Sequence, residues 1–324
     1  MRVFLTGATG YVGHQLALEL ANKNFTVHAL IRNIESRNIP VHTNIKVFEG
    51  DICNYSSIRR AMKKCDFVFH TAAYTNLKCR NIDNFFNTNV FGTENVLKAA
   101  YMLDVKKVIY TSTLSVFGPS YKSIPIEEAQ PRLASFTNDY ELTKSMSEEK
   151  VMEYTKKGLP CIILNVTRVY GPGLKTFSNG VNRLISMIIK NNILLVPNNL
   201  KAASNYVFIG DVVDAHVLAM ESDIKNAKYI IGGENIDYEN LFQKIKIITK
   251  SSTKIVKINF SLVKTGLTIL NAFRNLVGKS SLISVNMLQS LFMNRISTSK
   301  KAISELKYMP TSLQIGLMET INQL

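Results

Sequence analysis

Tyr140-Glu-Leu-Thr-Lys144 sets a phenol and an amine four residues apart, which on a helix places both on one face, a turn apart. A tyrosine ordinarily ionises at about pH 10 and exchanges its proton poorly near neutrality, but positive charge beside it favours the phenolate. Lys144 would supply such charge, so the pair is chemically sufficient for general acid or base work. A Tyr and a Lys at this spacing also occur on ordinary solvated helix faces; the segment upstream gives this pair its weight. Val108-Ile-Tyr-Thr-Ser112 reads as a strand delivering Ser112 and Thr113 at its carboxyl end, where open α/β sheets bind ligands. A hydroxyl there can polarise a carbonyl, and Thr113, with Ser112 as alternate, completes a candidate catalytic set.

A second constellation opens the chain. Thr6-Gly7-Ala8-Thr9-Gly10-Tyr11-Val12-Gly13 lies between a strand and an amphipathic helix. Gly7 takes up a tight turn, Gly10 lets a pyrophosphate approach the backbone, and Gly13 lets the helix pack on the strand. The phosphates would meet the helix N-terminus, whose N–H groups and dipole favour anions, with Thr9, Tyr11 and Val12 completing the contact. The predicted ligand is a nicotinamide dinucleotide. About twenty residues on, where a carboxylate would hold the ribose hydroxyls of NAD, the strand Val27–Ile31 ends on Arg32. An arginine there can pair with a 2′-phosphate, which favours NADP and leaves NAD as the alternative. Asp51 and Ile52 close the third strand in a position to meet adenine. Thr71, Ala72 and Ala73 close the fourth and leave room for the cofactor.

The elements that must position these groups follow from the apolar pattern. Short runs at Val3–Thr6, Thr26–Ile31, Ile45–Phe48, Phe67–His70, Val108–Ser112 and Cys161–Val166 alternate with helix-like stretches such as Val12–Ala21, Ser56–Lys63 and Thr88–Met102. That alternation predicts an α/β fold, a Rossmann doubly wound parallel sheet, with a smaller C-terminal substrate region. Residues 1–168 form the dinucleotide-binding domain, with 206–231 returning to it, and 169–205 and 232–324 form the substrate region. After Arg168 the expectation is helical or irregular structure without regular strand spacing.

Composition narrows the classes. The chain has 324 residues, 46% hydrophobic, with a net charge of +15. The lysines are scattered among many Asn and Ile residues and only Lys244–Lys257 is locally dense, which argues against a nucleic-acid surface. The first six residues run straight into the glycines with no signal-peptide pattern, and Lys264, Asn271, Arg274 and Asn275 interrupt the apolar stretch at 260–277. A cytoplasmic protein without stable membrane insertion is expected. Cys53, Cys65, Cys79 and Cys161 have neither metal-ligand spacing nor disulfide-scaffold density and read as free thiols; no metal is expected.

Taken together, the glycine turn, Asp51-Ile52, His70–Ala73, Asn89-Val-Phe-Gly-Thr93, Thr111–Gly118, Tyr140 with Lys144 and Arg168-Val-Tyr-Gly-Pro172 give the chain its kinship. It resembles the extended short-chain dehydrogenase/reductases, the NAD-dependent epimerase/dehydratase family, and among them the dihydroflavonol reductase-like proteins and hopanoid-associated sugar epimerases. The segment Ser297–Tyr308 is similar to a late element of that family, with Lys307 in place of its glycine. The resemblance implies Tyr140 as general acid or base, Lys144 on the nicotinamide ribose, Thr113 positioning the substrate oxygen, and Asn89 holding the helix next to the site. Similar proteins commonly dimerise through helices beside the Tyr140 helix.

Among the family's chemistries, dehydration is disfavoured because Leu114-Ser115 stands where 4,6-dehydratases carry an acidic pair. Arg32 suits a phosphorylated cofactor that arrives reduced and leaves oxidised. The leading expectation is therefore NADP(H)-dependent reduction of a ketone or aldehyde with Tyr140 as proton donor. An NAD-dependent sugar or sugar-nucleotide epimerase is the alternative, and a non-catalytic dinucleotide-binding module is a reading of another class. The partner is a small carbonyl compound or sugar. Two further features have plainer readings: His216 as a packed helix residue, and Ser261–Val277 as a helix packed on the substrate region rather than a lid or a helix resting on a membrane.

Overall fold

The computed structural model describes residues 1–323 apart from 78–80, 122, 133–134, 177–178 and 277–284. Cys79 and Val277 therefore lie outside the described residues. The first half alternates strands and helices: β1 (Arg2–Thr6), α1 (Tyr11–Asn22), β2 (Thr26–Ile31), β3 (Ile45–Glu49), α2 (Tyr55–Met62) and β4 (Phe67–His70). A single turn, α3 (Asp83–Phe85), then runs through a π-helical segment at Phe86–Phe91 into α4 (Gly92–Met102), β5 (Lys107–Thr113), α5 (Asp139–Lys156) and β6 (Cys161–Val166).

Seven parallel strands form the main sheet in the order β10-β6-β5-β4-β1-β2-β3, where β10 is Ala227–Ile231. This is the doubly wound arrangement expected, extended by one strand. Strands covered on both faces read as continuous apolar runs, as in β6, where every residue is buried. The strand order reverses between β1 and β4, and the crevice at such a point is where ligands of these sheets bind. One face is covered by α1 and α7 (Ile209–Glu221), the other by α2, α4 and α5.

After β6 the chain does form strands, contrary to the irregular structure expected. β7 (Arg168–Tyr170), β9 (Ala203–Phe208) and β11 (Glu234–Asp237) make one small sheet, and β8 (Ile193–Pro197) pairs with β12 (Lys254–Ile258). They are three to six residues long and pair across long separations, so local pattern does not announce them. Helices α6 (Gly180–Lys190) and α8 (Tyr238–Thr249) share their apolar cluster, followed by α9 (Phe260–Leu276), α10 (Val285–Leu291), α11 (Lys300–Leu306) and α12 (Leu313–Asn322). The segment read as packing on the substrate region, α9, has no fully buried side chain among those described. Its partly covered side carries Phe260, Val263 and Leu267 together with Lys264, Asn271 and Arg274, while Leu262, Ile269, Leu270, Phe273 and Leu276 face outward.

Lys307 closes α11 at φ 58° and ψ 30°, the left-handed conformation that costs an L side chain energy and glycine little. Lys307→Gly is expected to stabilise the fold by about 1 kcal/mol, read as a higher midpoint in urea at unchanged slope. A lower midpoint would mean that the Lys307 Nζ bond to the Ser304 carbonyl outweighs the backbone strain.

Candidate active site

The glycine turn closes on itself: the Gly10 N–H donates to the Gly7 carbonyl at 2.9 Å. Gly7 sits at φ +80°, and a Cβ there would lie 2.5 Å from Thr71 Oγ1. A Cβ at Gly13 would lie 2.2 Å from the Gly7 oxygen, so the helix can rest on the turn only without one. Gly10 differs, since an added Cβ would touch little but the Gly7 oxygen at 3.1 Å, and its outer side is open. Gly10 is also the N-cap of α1 and contributes no side-chain bond, which leaves the first N–H groups of the helix for an anion. These features fit a dinucleotide pyrophosphate. Thr9 lies in the turn, partly exposed, and Val12 is partly buried in the first turn of α1. Tyr11 is available through its backbone only: its ring is buried against the C-terminal half and its hydroxyl donates to the Gly171 carbonyl at 2.7 Å.

The carboxyl ends of the neighbouring strands surround this turn. Thr71 Oγ1 donates to the Thr6 carbonyl at 2.7 Å, and Thr71, Ala72 and Ala73 are partly exposed beyond β4. Buried His70 spans from Thr6 Oγ1 at 2.7 Å to Thr93 Oγ1 at 2.9 Å, tying β4 to β1 and α4. Asp51 accepts the Cys53 N–H at 2.8 Å, and Ile52 is packed so closely on α4 that a Cβ at Gly92 would meet it at 2.7 Å. Arg32 is exposed directly after β2, near enough to the Asp51–Cys53 loop for its charge to act on the Cys53 thiol.

On the other side of the crevice, β5 and α5 bring the catalytic candidates together. Thr113 sits close enough to Tyr140 for its hydroxyl to act on the phenol, and its Oγ1 lies 3.1 Å from Ser115 Oγ. Successive strand residues face opposite sides, so Ser112 points away: it is buried and donates to Glu148 instead. The geometry thus selects Thr113 over the alternate Ser112 as the hydroxyl beside Tyr140. Lys144 is buried, and its Nζ donates to the Tyr110 hydroxyl at 2.6 Å and the Thr111 carbonyl at 2.7 Å. Asn89, in the π-helical segment, accepts from the Tyr74 N–H at 2.7 Å and donates to Thr143 at 3.0 Å, joining the loop after β4 to the helix of Tyr140.

Burial works on both ionisable groups in the same sense, against charge. It pushes the Tyr140 phenol up to about 12, opposed by the Thr113 hydroxyl and reinforced by the Glu141 charge. It pulls the Lys144 ammonium down to about 7, opposed by Glu148. Tyr140 therefore holds its proton at neutral pH, the state a proton donor needs.

Sequence reasoning missed the residues beneath this set. Glu148 is fully buried and meets Ser112, Asn165 Nδ2 at 2.6 Å, Arg132 and Lys228 Nζ at 2.8 Å. Burial raises its carboxyl, but Lys228 and Arg132 outweigh that and hold it below the ordinary carboxylate range. The signal was available, since Glu148 continues the four-residue spacing of Tyr140 and Lys144. His216 is a packed helix residue, fully buried between the Val212 carbonyl and Thr111 Oγ1, each at 2.7 Å. A separate cleft of about 340 Å³, lined by Gly232, Asn235 and Ser297 among others, shares no residue with this site.

Residues 3–232 match the model of the NAD dependent epimerase/dehydratase family. The UDP-N-acetyl-alpha-D-glucosaminuronate decarboxylase of Bacillus cytotoxicus is 29% identical over 81% of this chain and 84% of its own. A dihydroflavonol 4-reductase-like protein of Synechocystis sp. is 25% identical over 76% of this chain and 72% of its own. The UDP-glucose 4-epimerase structure from Thermotoga maritima superposes with a TM-score of 0.82 over 100% of this chain and 98% of that one, at 22% identity, a likeness of fold.

The histidines of this region make a pH prediction. Burial lowers His70 to about 3 and His216 to about 4, against an ordinary value of 6.5. Between about pH 6.5 and 4 the unfolded chain binds protons that the folded chain refuses, so stability is lost as pH falls. Urea unfolding at pH 7 and pH 5 should differ by up to about 2 kcal/mol for each of these two histidines, and His216→Gln should reduce the difference by up to about that amount. A midpoint unchanged between the two pH values would contradict the buried neutral state.

Proposed function

Because the chain belongs to the NAD dependent epimerase/dehydratase family, an enzyme family of NAD(P)-dependent oxidoreductases, epimerases and decarboxylases, we propose that it reduces a ketone or aldehyde with NADP(H). The observation that carries this reading is the placing of Thr113 beside the buried Tyr140, whose phenol burial pushes up to about 12 and so holds protonated. When bound, the nicotinamide supplies a hydride to the carbonyl carbon. Thr113 orients the carbonyl oxygen, and Tyr140 gives it the proton as negative charge develops there. Lys144 lies one turn below, within the same buried space, and its N–H groups are positioned by the Tyr110 hydroxyl and the Thr111 carbonyl. The glycine turn and the N-terminus of α1 would hold the pyrophosphate; Asp51, Ile52, Thr71, Ala72 and Ala73 would line the adenine and ribose side; Arg32 would pair with the 2′-phosphate.

Sugar or sugar-nucleotide epimerisation is the second reading, favoured by the nucleotide-sugar chemistry in the names of a curated relative and of solved structures of the same fold. The two differ in what happens to the cofactor, since an epimerase keeps its dinucleotide and returns the hydride. Arg32 supports the first, because a 2′-phosphate is the group an exposed cation at this strand end would recognise.

Tyr140→Phe is expected to lower kcat by roughly 100-fold or more with little change in NADPH affinity. Arg32→Asp is expected to weaken NADPH binding by roughly 10- to 100-fold while improving NADH binding, read by fluorescence titration of each reduced cofactor. Retained turnover in the first variant would remove Tyr140 as the donor. Equal affinities for the two cofactors in the unmodified protein would sink the NADP assignment.

A further inference from the structure

The site leaves one large feature of the molecule unused. Along α9, Leu262, Ile269, Leu270, Phe273 and Leu276 are between 43% and 85% exposed. With 3.6 residues per turn, Leu262, Ile269, Phe273 and Leu276 fall on one stripe and Leu270 flanks it. The stripe runs the length of a helix of about 25 Å. The chain enters α9 one residue after β12, and the outer face of the β8–β12 pair carries Ile193, Leu195 and Val256, also exposed. Asn198, at the end of β8, accepts the Phe260 N–H at 3.1 Å and so fixes the start of the helix to that pair.

Charge identifies what covers this face. From residue 240 to residue 304 there is no aspartate or glutamate, whereas the same stretch holds eleven lysines and arginines. Lys254 shares the outer face of β12 with Val256, Lys257 is paired with Glu239 at 2.7 Å, and Lys264 and Arg274 lie on the side of α9 away from its apolar stripe. A second copy of the chain seated here would bring two acid-free cationic segments together, which like-charge repulsion opposes. A surface of anionic phospholipid headgroups offers the opposite charge together with an apolar layer just beneath. Among the described residues no helix is long and apolar enough to cross a membrane, so the helix would lie in the interface rather than span it.

We propose that α9, with the outer face of β8 and β12, docks this protein onto an anionic lipid bilayer, the apolar stripe entering the headgroup boundary and the net positive charge of the acid-free segment, with Lys254 on the same outer face, drawing it to phosphate. The inference is independent of the reaction assigned to the Tyr140 site.

The test is co-sedimentation of the full chain with vesicles of phosphatidylcholine alone and of phosphatidylcholine mixed with phosphatidylglycerol. Binding is expected to the mixed vesicles, roughly tenfold or more above the neutral ones, and to weaken as salt is raised. The Ile269→Ser/Phe273→Ser variant is expected to lose roughly tenfold or more of that binding, and Leu262→Ser/Leu276→Ser to do the same from the ends of the stripe. Absence of binding to mixed vesicles, or binding that both variants retain, would overturn the proposal. So would a dimer in sedimentation velocity that the same substitutions dissociate, since the face would then belong to a second copy. A change confined to the KM of the enzyme, with vesicle binding intact, would assign α9 to the mouth of the substrate site instead.

Discussion

The geometry of the candidate site depends on a carboxylate that never meets solvent. Glu148 lies on α5 and joins β5 through Ser112, β6 through Asn165, β10 through Lys228 and the loop before α5 through Arg132. A buried charge is costly unless fully paired, and removing one partner of such a cluster typically costs several kcal/mol. The cluster therefore fixes the rotation and height of α5 against the sheet. Lys144 and Tyr140 sit one and two turns back along the same face, so the register set at Glu148 is passed to both. Lys144 is directed under β5 to Tyr110 and Thr111, and Tyr140 to Thr113 at the strand end.

The same burial separates two groups whose ordinary ionisation ranges nearly coincide. Tyr140 moves up to about 12 and Lys144 down to about 7, a divergence typical of sites that assign acid and base roles by environment. The phenol becomes a held proton. The amine becomes sensitive to any charge or hydrogen-bond partner that enters beside it, and Glu148 is the nearby group that favours its charged form.

The parts of this arrangement legible in the sequence were those governed by local geometry. The glycine turn could be read because strand, turn and helix are contiguous, and the β1, β2, β4, β5 and β6 strands because burial on both faces writes them as apolar runs, whereas the edge strand β3 shows only alternation. The choice between Ser112 and Thr113 was not legible, since it rests on which hydroxyl the pleat turns toward Glu148. The buried face of α5 escaped periodicity analysis for a related reason: Glu141, Thr143, Lys144, Ser145, Ser147 and Glu148 are all buried, so its inner face is polar. The short strands after Arg168 draw their pairing from partners up to dozens of residues away, and α9 carries a helical pattern that says which side is apolar but not that this side faces out.

The central claim is net hydride transfer at the Thr113–Tyr140 pair, and the fate of the hydride tests it most directly. The purified enzyme would be supplied with NADPH deuterated at C4 and a panel of ketones and aldehydes, and any product examined by mass spectrometry. The account predicts an alcohol carrying one deuterium, formed in step with cofactor oxidation and abolished in Tyr140→Phe. A protein that carries NAD through purification and interconverts sugar nucleotides without consuming reduced cofactor would contradict it.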